Sequence, residues 1–371
     1  MRIGFDAKRF FHNNTGLGNY SRDLIRILSE YYPEHNYILY NPKKSKKQYS
    51  FKLNDVIIEK LPETSFWKRF KSLWRSFGVK KQLINDEILL YHGLSGEIPL
   101  FLPKKIKKVV TIHDLIFIRY PEYYSFFDRK IHTWKFRYAA KKADVVIAIS
   151  EQTKNDIVKY LGINPDKIKV IYQGCAKEFK RNYSEQEKNT VRKKFDLPEK
   201  FILNVGTIEK RKNALTIVKS IQNIDTKLVL IGKKTNYFYE IESFIKQNGL
   251  EDKVIFLKNI SLEELAVIYQ LATIFVYPSV FEGFGIPIIE ALFSKTPVIT
   301  TNSGVFPEAG GKDSIYVEPF DAKEMEKQIS YLLNNPDYRN EIAENGYDYA
   351  QNFTDEAIAK NVMSLYQDVL K

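Results

Sequence analysis

The sequence holds a single cysteine, Cys175, which excludes a disulfide within the chain and points to a reducing compartment, the cytoplasm. No apolar run approaches the ~20 residues needed to cross a bilayer. The opening stretch MRIGFDAKRF lacks the apolar segment of a secretory signal, so none is expected. Helix-turn-helix, zinc-finger and RRM signatures are also missing, so nucleic acid is not an expected partner. Acidic residues are in deficit: 45 Asp and Glu face 57 Lys and Arg, a net charge of +12. What is present is globular in composition, 44% apolar and 27% charged, and 371 residues are more than one ordinary core accommodates.

The positive excess is not spread evenly. Residues 1–175 hold 32 Lys and Arg against 17 Asp and Glu, or +15, whereas residues 176–371 hold 25 against 28, or −3. Its clusters are Lys43, Lys44, Lys46 and Lys47, then Lys68, Arg69, Lys71 and Arg75, then Lys104, Lys105, Lys107 and Lys108. Such runs are either solvated loops or a face that meets an anionic surface.

Short apolar strands alternate with helical stretches. RIGFDA (2–7), YILYN (37–41), DVIIEKL (55–61), EILLYHG (87–93), KVVTIHD (108–114) and DVVIAIS (144–150) form a first series. FILNVG (201–206), KLVLIG (227–232), KVIFLK (253–258), IFVYPS (274–279) and PVIT (297–300) form a second. The runs are apolar almost throughout, as in parallel strands covered on both faces. The fold class expected is therefore α/β, with two doubly wound Rossmann-like domains. The polar segment from Cys175 to Phe195 marks the boundary, giving domains 1–175 and 176–353. Beyond Asp321 the chain reads as helices without a strand, and residues 354–371 are expected to form a helix that packs back on the N-terminal domain.

In open α/β sheets ligands meet the carboxyl ends of strands, so with two such domains the cleft between them is the expected site. Gly16 and Gly18 follow the first strand and precede a helix, where backbone N–H groups can face an anion. The third position of a dinucleotide fingerprint is Ser21, and YILYNPKKSKK lacks the acidic residue that would follow the second strand. A Rossmann-type epimerase or oxidoreductase is thus a distant alternative. His113 and His92 stand at strand tips, either as substrate contacts or as internal histidines. Ser150 is placed to cap the helix that follows it. Arg211 and Lys212 follow Gly206, the glycine that ends FILNVG, where two cations beside helix N–H groups suit a diphosphate. In VFEGFGIPIIEALF, Glu282 sits in a loop and Glu290 one turn into a helix. Gly283 and Gly285 permit close backbone approach, and Pro287 fits a first helical turn.

In this order and spacing, TGLGNYSRDL (15–24), HGLSGEIP (92–99), TIHDL (111–115), ADVVIAISEQTKNDI (143–157), VIYQG (170–174), VGTIEKRKN (205–213) and Glu282-x7-Glu290 resemble the retaining glycosyltransferases of family 4. Those enzymes have the GT-B architecture, two Rossmann-like domains facing each other across a cleft. The subgroup with these motifs is rich in mannosyltransferases that build surface polysaccharides. The resemblance implies that Glu290 holds the donor ribose and that Glu282 lies near the donor sugar. It gives Arg211 and Lys212 the diphosphate. It also implies that Gly206 and the backbone of Gly283, Phe284, Gly285 and Ile286 line the donor site, that Gly16 and Gly18 close over the phosphate side, and that His113 points at the transferred sugar. Many such enzymes carry arginine where this chain has Thr207, and Arg211 is placed to supply that charge. The partners implied are a nucleotide-diphosphate sugar, GDP-mannose first and a UDP-sugar as the alternative, and a glycan or lipid-linked acceptor. No D-x-D triplet occurs, so neither a metal nor another cofactor is expected. Retention is expected to proceed on the front face, the leaving phosphate helping to deprotonate the acceptor.

The segment SFWKRFKSLWRSFGVKK (65–81) spaces Trp67, Phe70, Trp74 and Phe77 at helical intervals with cations between. It reads as a helix that either buries its aromatics or lies on an anionic membrane. Peripheral membrane contact through the basic N-terminal domain, at the cytoplasmic face, is therefore an expectation.

Overall fold

The computed structural model describes residues 1–13, 15–45 and 55–371. Lys46 and Lys47, half of the first basic cluster, lie outside the described residues. The chain forms two compact units, residues 1–173 with 355–371, and residues 174–354.

The first unit is built on a seven-stranded sheet of β1 (Arg2–Asp6), β2 (Asn36–Tyr40), β3 (Ile57–Lys60), β4 (Leu90–Gly93), β5 (Lys107–Ile112), β6 (Val145–Ala148) and β7 (Ile168–Val170). All pairs are parallel, in the order β3-β2-β1-β4-β5-β6-β7. In β1, Gly4 lies opposite Ile38 of β2 and Tyr91 of β4, and the strand is buried on both faces. That explains a run with no polar alternation. The strand order reverses between β1 and β4, which makes their carboxyl ends the switch point of this sheet.

Helices cover both faces. Helix Gly16–Tyr31 contributes Leu24, Ile25, Ile27 and Leu28 to one core. Helix Asp355–Leu370, last in the chain, joins the same core through Ile358, Ala359, Val362, Met363 and Tyr366. Arg26 ties the two helices together, its Nη2 lying 2.8 Å from the Asp355 carboxylate.

The second unit carries a six-stranded parallel sheet of β8 (Phe201–Val205), β9 (Lys227–Ile231), β10 (Val254–Leu257), β11 (Ile274–Tyr277), β12 (Val298–Thr301) and β13 (Ile315–Val317), in the order β10-β9-β8-β11-β12-β13. Its switch point lies between β8 and β11, so ligand chemistry is expected at Gly206 and just after Tyr277.

Segment 65–81 departs from the single helix its spacing suggests. Helix Ser65–Arg69 stops at Phe70 (φ −104°, ψ 59°), and the chain resumes through a π-turn, Trp74–Gly78. The interruption separates the aromatics. Trp74 is buried and donates its indole N–H to Gln82 at 2.8 Å, while Phe70 and Phe77 are exposed. Arg75, a member of the second basic cluster, instead turns inward to pair with buried Asp6 at 2.5 Å and with Glu97 at 2.6 Å. Lys108 is likewise buried and donates to the Ile106 carbonyl at 2.9 Å.

Candidate active site

In the second unit the cation pair and the first glutamate meet where β8 and β11 end. Gly206 leaves β8 at φ 151°, and the 3-10 turn Lys210–Lys212 follows. Asn213 ends that turn in the left-handed region (φ 55°) and is held there by side-chain bonds, donating to the Pro319 carbonyl and accepting from Thr216 Oγ1. The Val280 N–H donates to the Arg211 carbonyl at 2.9 Å, which stitches this turn to the loop after β11.

The focus is one oxygen of Glu282. Its Oε1 accepts from Arg211 Nη1 at 2.8 Å, from Ser279 Oγ at 2.8 Å, from the Tyr277 hydroxyl at 3.1 Å and from Lys212 Nζ. Lys212 also lies 2.5 Å from the Tyr277 hydroxyl, and Arg211 Nη2 donates to Glu209 at 2.7 Å. Burial alone would raise the Glu282 carboxyl, but Lys212 and Arg211 hold it below the ordinary glutamate value. Burial pulls the Lys212 ammonium down, with Glu282 opposing. The two cations are thus pre-positioned, and their charge is balanced by Glu282 and Glu209.

Helix Ile286–Phe293 begins directly after this loop. Gly285 precedes it at φ 106°, a conformation that a side chain rarely adopts, and Pro287 fits the first turn. The start of a helix carries partial positive charge, so this end is suited to an anion or a sugar oxygen. The Phe284 side chain is core and packs on Phe353, with ring centroids 5.6 Å apart. Glu290, one turn into the helix, accepts from the Tyr269 hydroxyl at 2.9 Å. Burial pushes its carboxyl up to about 7, with Tyr269 partly opposing. The two glutamates of one motif therefore differ in kind: Glu282 is a fixed anion, and Glu290 exchanges its proton near neutrality.

The remaining candidates belong to the first unit. His113 follows β5 and is buried, with Nε2 2.9 Å from the Leu94 carbonyl. Burial lowers its pKa to about 4, so the ring is neutral and its N–H is committed to Leu94. Nδ1 is then an acceptor, and His113 suits a hydroxyl that donates rather than one that accepts. Tyr20 packs edge-on against it, 4.5 Å between ring centroids.

His92 is fully buried between Thr111 Oγ1, at 2.8 Å, and the Tyr366 hydroxyl, at 2.6 Å, which makes it an internal histidine. Ser150 caps its helix, accepting from the Thr153 N–H at 3.0 Å. Gly18 is required by packing: a Cβ there would lie 1.9 Å from the Asn13 carbonyl oxygen. Among the described residues nothing lies within 4 Å of where a Cβ of Gly16 would stand.

Spacing in the sequence missed Tyr277, Ser279, Glu209, Asn213 and Tyr269. Tyr277 and Ser279 had a signal, because Tyr277 ends β11 and Ser279 stands two residues further along the loop to Glu282; Tyr269 and Asn213 reach their partners only through the fold.

Comparison with known proteins agrees with this architecture. Residues 15–179 match the Glycosyltransferase Family 4 model, and residues 185–349 match Glycosyl transferases group 1. The O-antigen chain mannosyltransferase RfbU of Salmonella typhimurium is 30% identical over 253 residues, 67% of this chain and 68% of that protein. The O-antigen chain mannosyltransferase B of Escherichia coli is 23% identical over 394 residues, 99% of this chain and 100% of that one. Among solved structures, sucrose-phosphate synthase from Thermosynechococcus elongatus superposes with a TM-score of 0.78 at 22% identity, covering 100% of this chain and 99% of that one. Two Rossmann-like units and these matches define the class, an enzyme with the GT-B fold that transfers glycosyl groups. Within that class, the chain belongs to the family 4, or group 1, glycosyltransferases.

Proposed function

We propose that the protein transfers a hexosyl group, mannose from GDP-mannose, to a glycan or lipid-linked oligosaccharide during surface-polysaccharide assembly in the cytoplasm, with retention and without a metal. The observation that carries this reading is the convergence of Arg211 and Lys212 on Glu282 beside the start of helix Ile286–Phe293. The two O-antigen mannosyltransferase relatives support the choice of sugar.

As the bond from the anomeric carbon to the diphosphate breaks, negative charge grows on the leaving oxygen. Arg211, Lys212 and the helix N-terminus are fixed donors for that charge, so no metal is needed to supply it. Lys212 and Arg211 exchange part of their contact with Glu282 for the diphosphate, which frees the Glu282 carboxylate to accept from a sugar hydroxyl. Glu290 accepts from the ribose hydroxyls. Neutral His113 accepts from another sugar hydroxyl through Nδ1. The acceptor oxygen forms the new bond to the anomeric carbon on the face the phosphate leaves, and its proton passes to a phosphate oxygen.

Thermal-shift titration with GDP, UDP and ADP and their sugars tests the donor. GDP-mannose should stabilise the protein most, with full activity in EDTA. Preferential stabilisation by a UDP-sugar would replace the donor assignment, and a glycosyl adduct trapped on Glu282 would overturn the front-face route.

A further inference from the structure

Helix Phe126–Lys142 of the first unit turns its apolar stripe outward. Phe127, Ile131 and Trp134 lie at i, i+4 and i+7, one face of a helix, and are 77%, 54% and 56% exposed. The side it buries most deeply is only Ala139 and Ala140. The helix carries six Lys and Arg against one acidic residue, Asp128.

The stripe continues into a second element. Trp134 stacks on Tyr138 (6.0 Å), the Tyr138 hydroxyl accepts from the Phe101 N–H at 2.9 Å, and exposed Phe101 stacks on Phe77 (6.4 Å). Exposed Phe66, Phe70 and Leu73 follow, with Lys68, Arg69 and Lys71 beside them. Glu97 pins the two elements together by accepting from Arg75 at 2.6 Å and Lys135 at 3.5 Å. Aromatic side chains interleaved with unburied cations therefore form one face.

We propose that this face docks on the surface of an anionic lipid bilayer, with Phe127, Ile131 and Trp134 entering the interface and the surrounding cations meeting the headgroups. Charge decides between occupants. The unit holds 34 Lys and Arg against 20 Asp and Glu, a net of +14. A second copy meeting this face about a two-fold axis would set cations against cations, whereas an anionic bilayer offers charges of opposite sign and an apolar layer beneath them. The inference does not depend on which sugar is transferred, because its readout is binding.

The test uses the full chain and vesicles of phosphatidylcholine with or without phosphatidylglycerol. Anionic vesicles should co-sediment the protein and, in a Trp67→Phe background, shift Trp134 emission to the blue; adding Trp134→Phe should abolish the shift, since the remaining Trp74 is buried. Phe127→Ser with Trp134→Ser should weaken binding about tenfold or more, with activity on a water-soluble acceptor unchanged. Raising salt from about 0.1 M to about 1 M shortens the screening length from about 10 to about 3 Å and should release most of the bound protein. Equal binding by the double variant would overturn the proposal. So would concentration-dependent dimerisation lost in that variant, or tighter binding of RNA than of vesicles.

Discussion

Glu290→Gln should make the protein more stable and the enzyme worse, and the stability gain should depend on pH. Burial moves the Glu290 carboxyl from 4.5 to about 7, which means that the folded protein favours the protonated form. Between those values the folded state binds more protons than the unfolded chain, so stability falls as pH rises through that window and levels off above it. The full displacement corresponds to about 3 kcal/mol. Glu290 keeps some contact with water, so about 1–2 kcal/mol is the realistic size. The amide of the variant can still accept from the Tyr269 hydroxyl but carries no charge to bury. Urea denaturation at about pH 5 and about pH 8 should therefore give a variant advantage that grows by about 1–2 kcal/mol between the two. In calorimetry at about pH 8, donor affinity should drop about tenfold to a hundredfold, because hydrogen bonds to a charged acceptor are worth about 1.5–3 kcal/mol. A stability difference that is the same at both pH values would show that Glu290 does not carry the displaced proton. Unchanged donor affinity would remove it from the ribose site.

Two further substitutions separate packing from ligand approach. Gly18→Ala drives a Cβ into the Asn13 carbonyl and should cost about 1–3 kcal/mol in urea denaturation, whereas Gly16→Ala should leave stability within about 0.5 kcal/mol; equal effects would refute the packing argument. Tyr366→Phe removes the hydroxyl partner of fully buried His92 and should destabilise by about 1–3 kcal/mol. An unchanged midpoint would mean that this bond contributes nothing.

The strands were legible because parallel, doubly covered strands are written as apolar runs; RIGFDA and FILNVG became β1 and β8 within a residue or two. β7 and β13 were not legible, since three-residue edge strands are too short for a periodic signal. At the candidate site, Arg211, Lys212 and Glu282 were findable because each directly follows a strand. Their mutual contacts were not, because Arg211 and Lys212 lie about 70 positions from Glu282 in the chain and meet it only through the fold. The aromatic spacing from Trp67 to Phe77 misled for a related reason: the Arg75–Asp6 pair is a tertiary contact, and it turns into the protein a residue that local pattern puts outside. The outward stripe from Phe127 to Trp134 has ordinary helical spacing, and only the structure shows which way it faces.

In the proposed reaction Arg211 and Lys212 hold the diphosphate of a sugar nucleotide whose anomeric configuration survives transfer. The most direct measurement is NMR of the product formed from GDP-α-mannose and a synthetic acceptor, by the native enzyme and by Lys212→Ala, with folding of the variant checked by circular dichroism. The native enzyme should give an α-mannoside, and the variant should lose turnover by about 10²–10³, the scale expected for removing one fixed donor to a developing anion. A β-linked product, or a folded variant with native turnover, would contradict the proposed reaction.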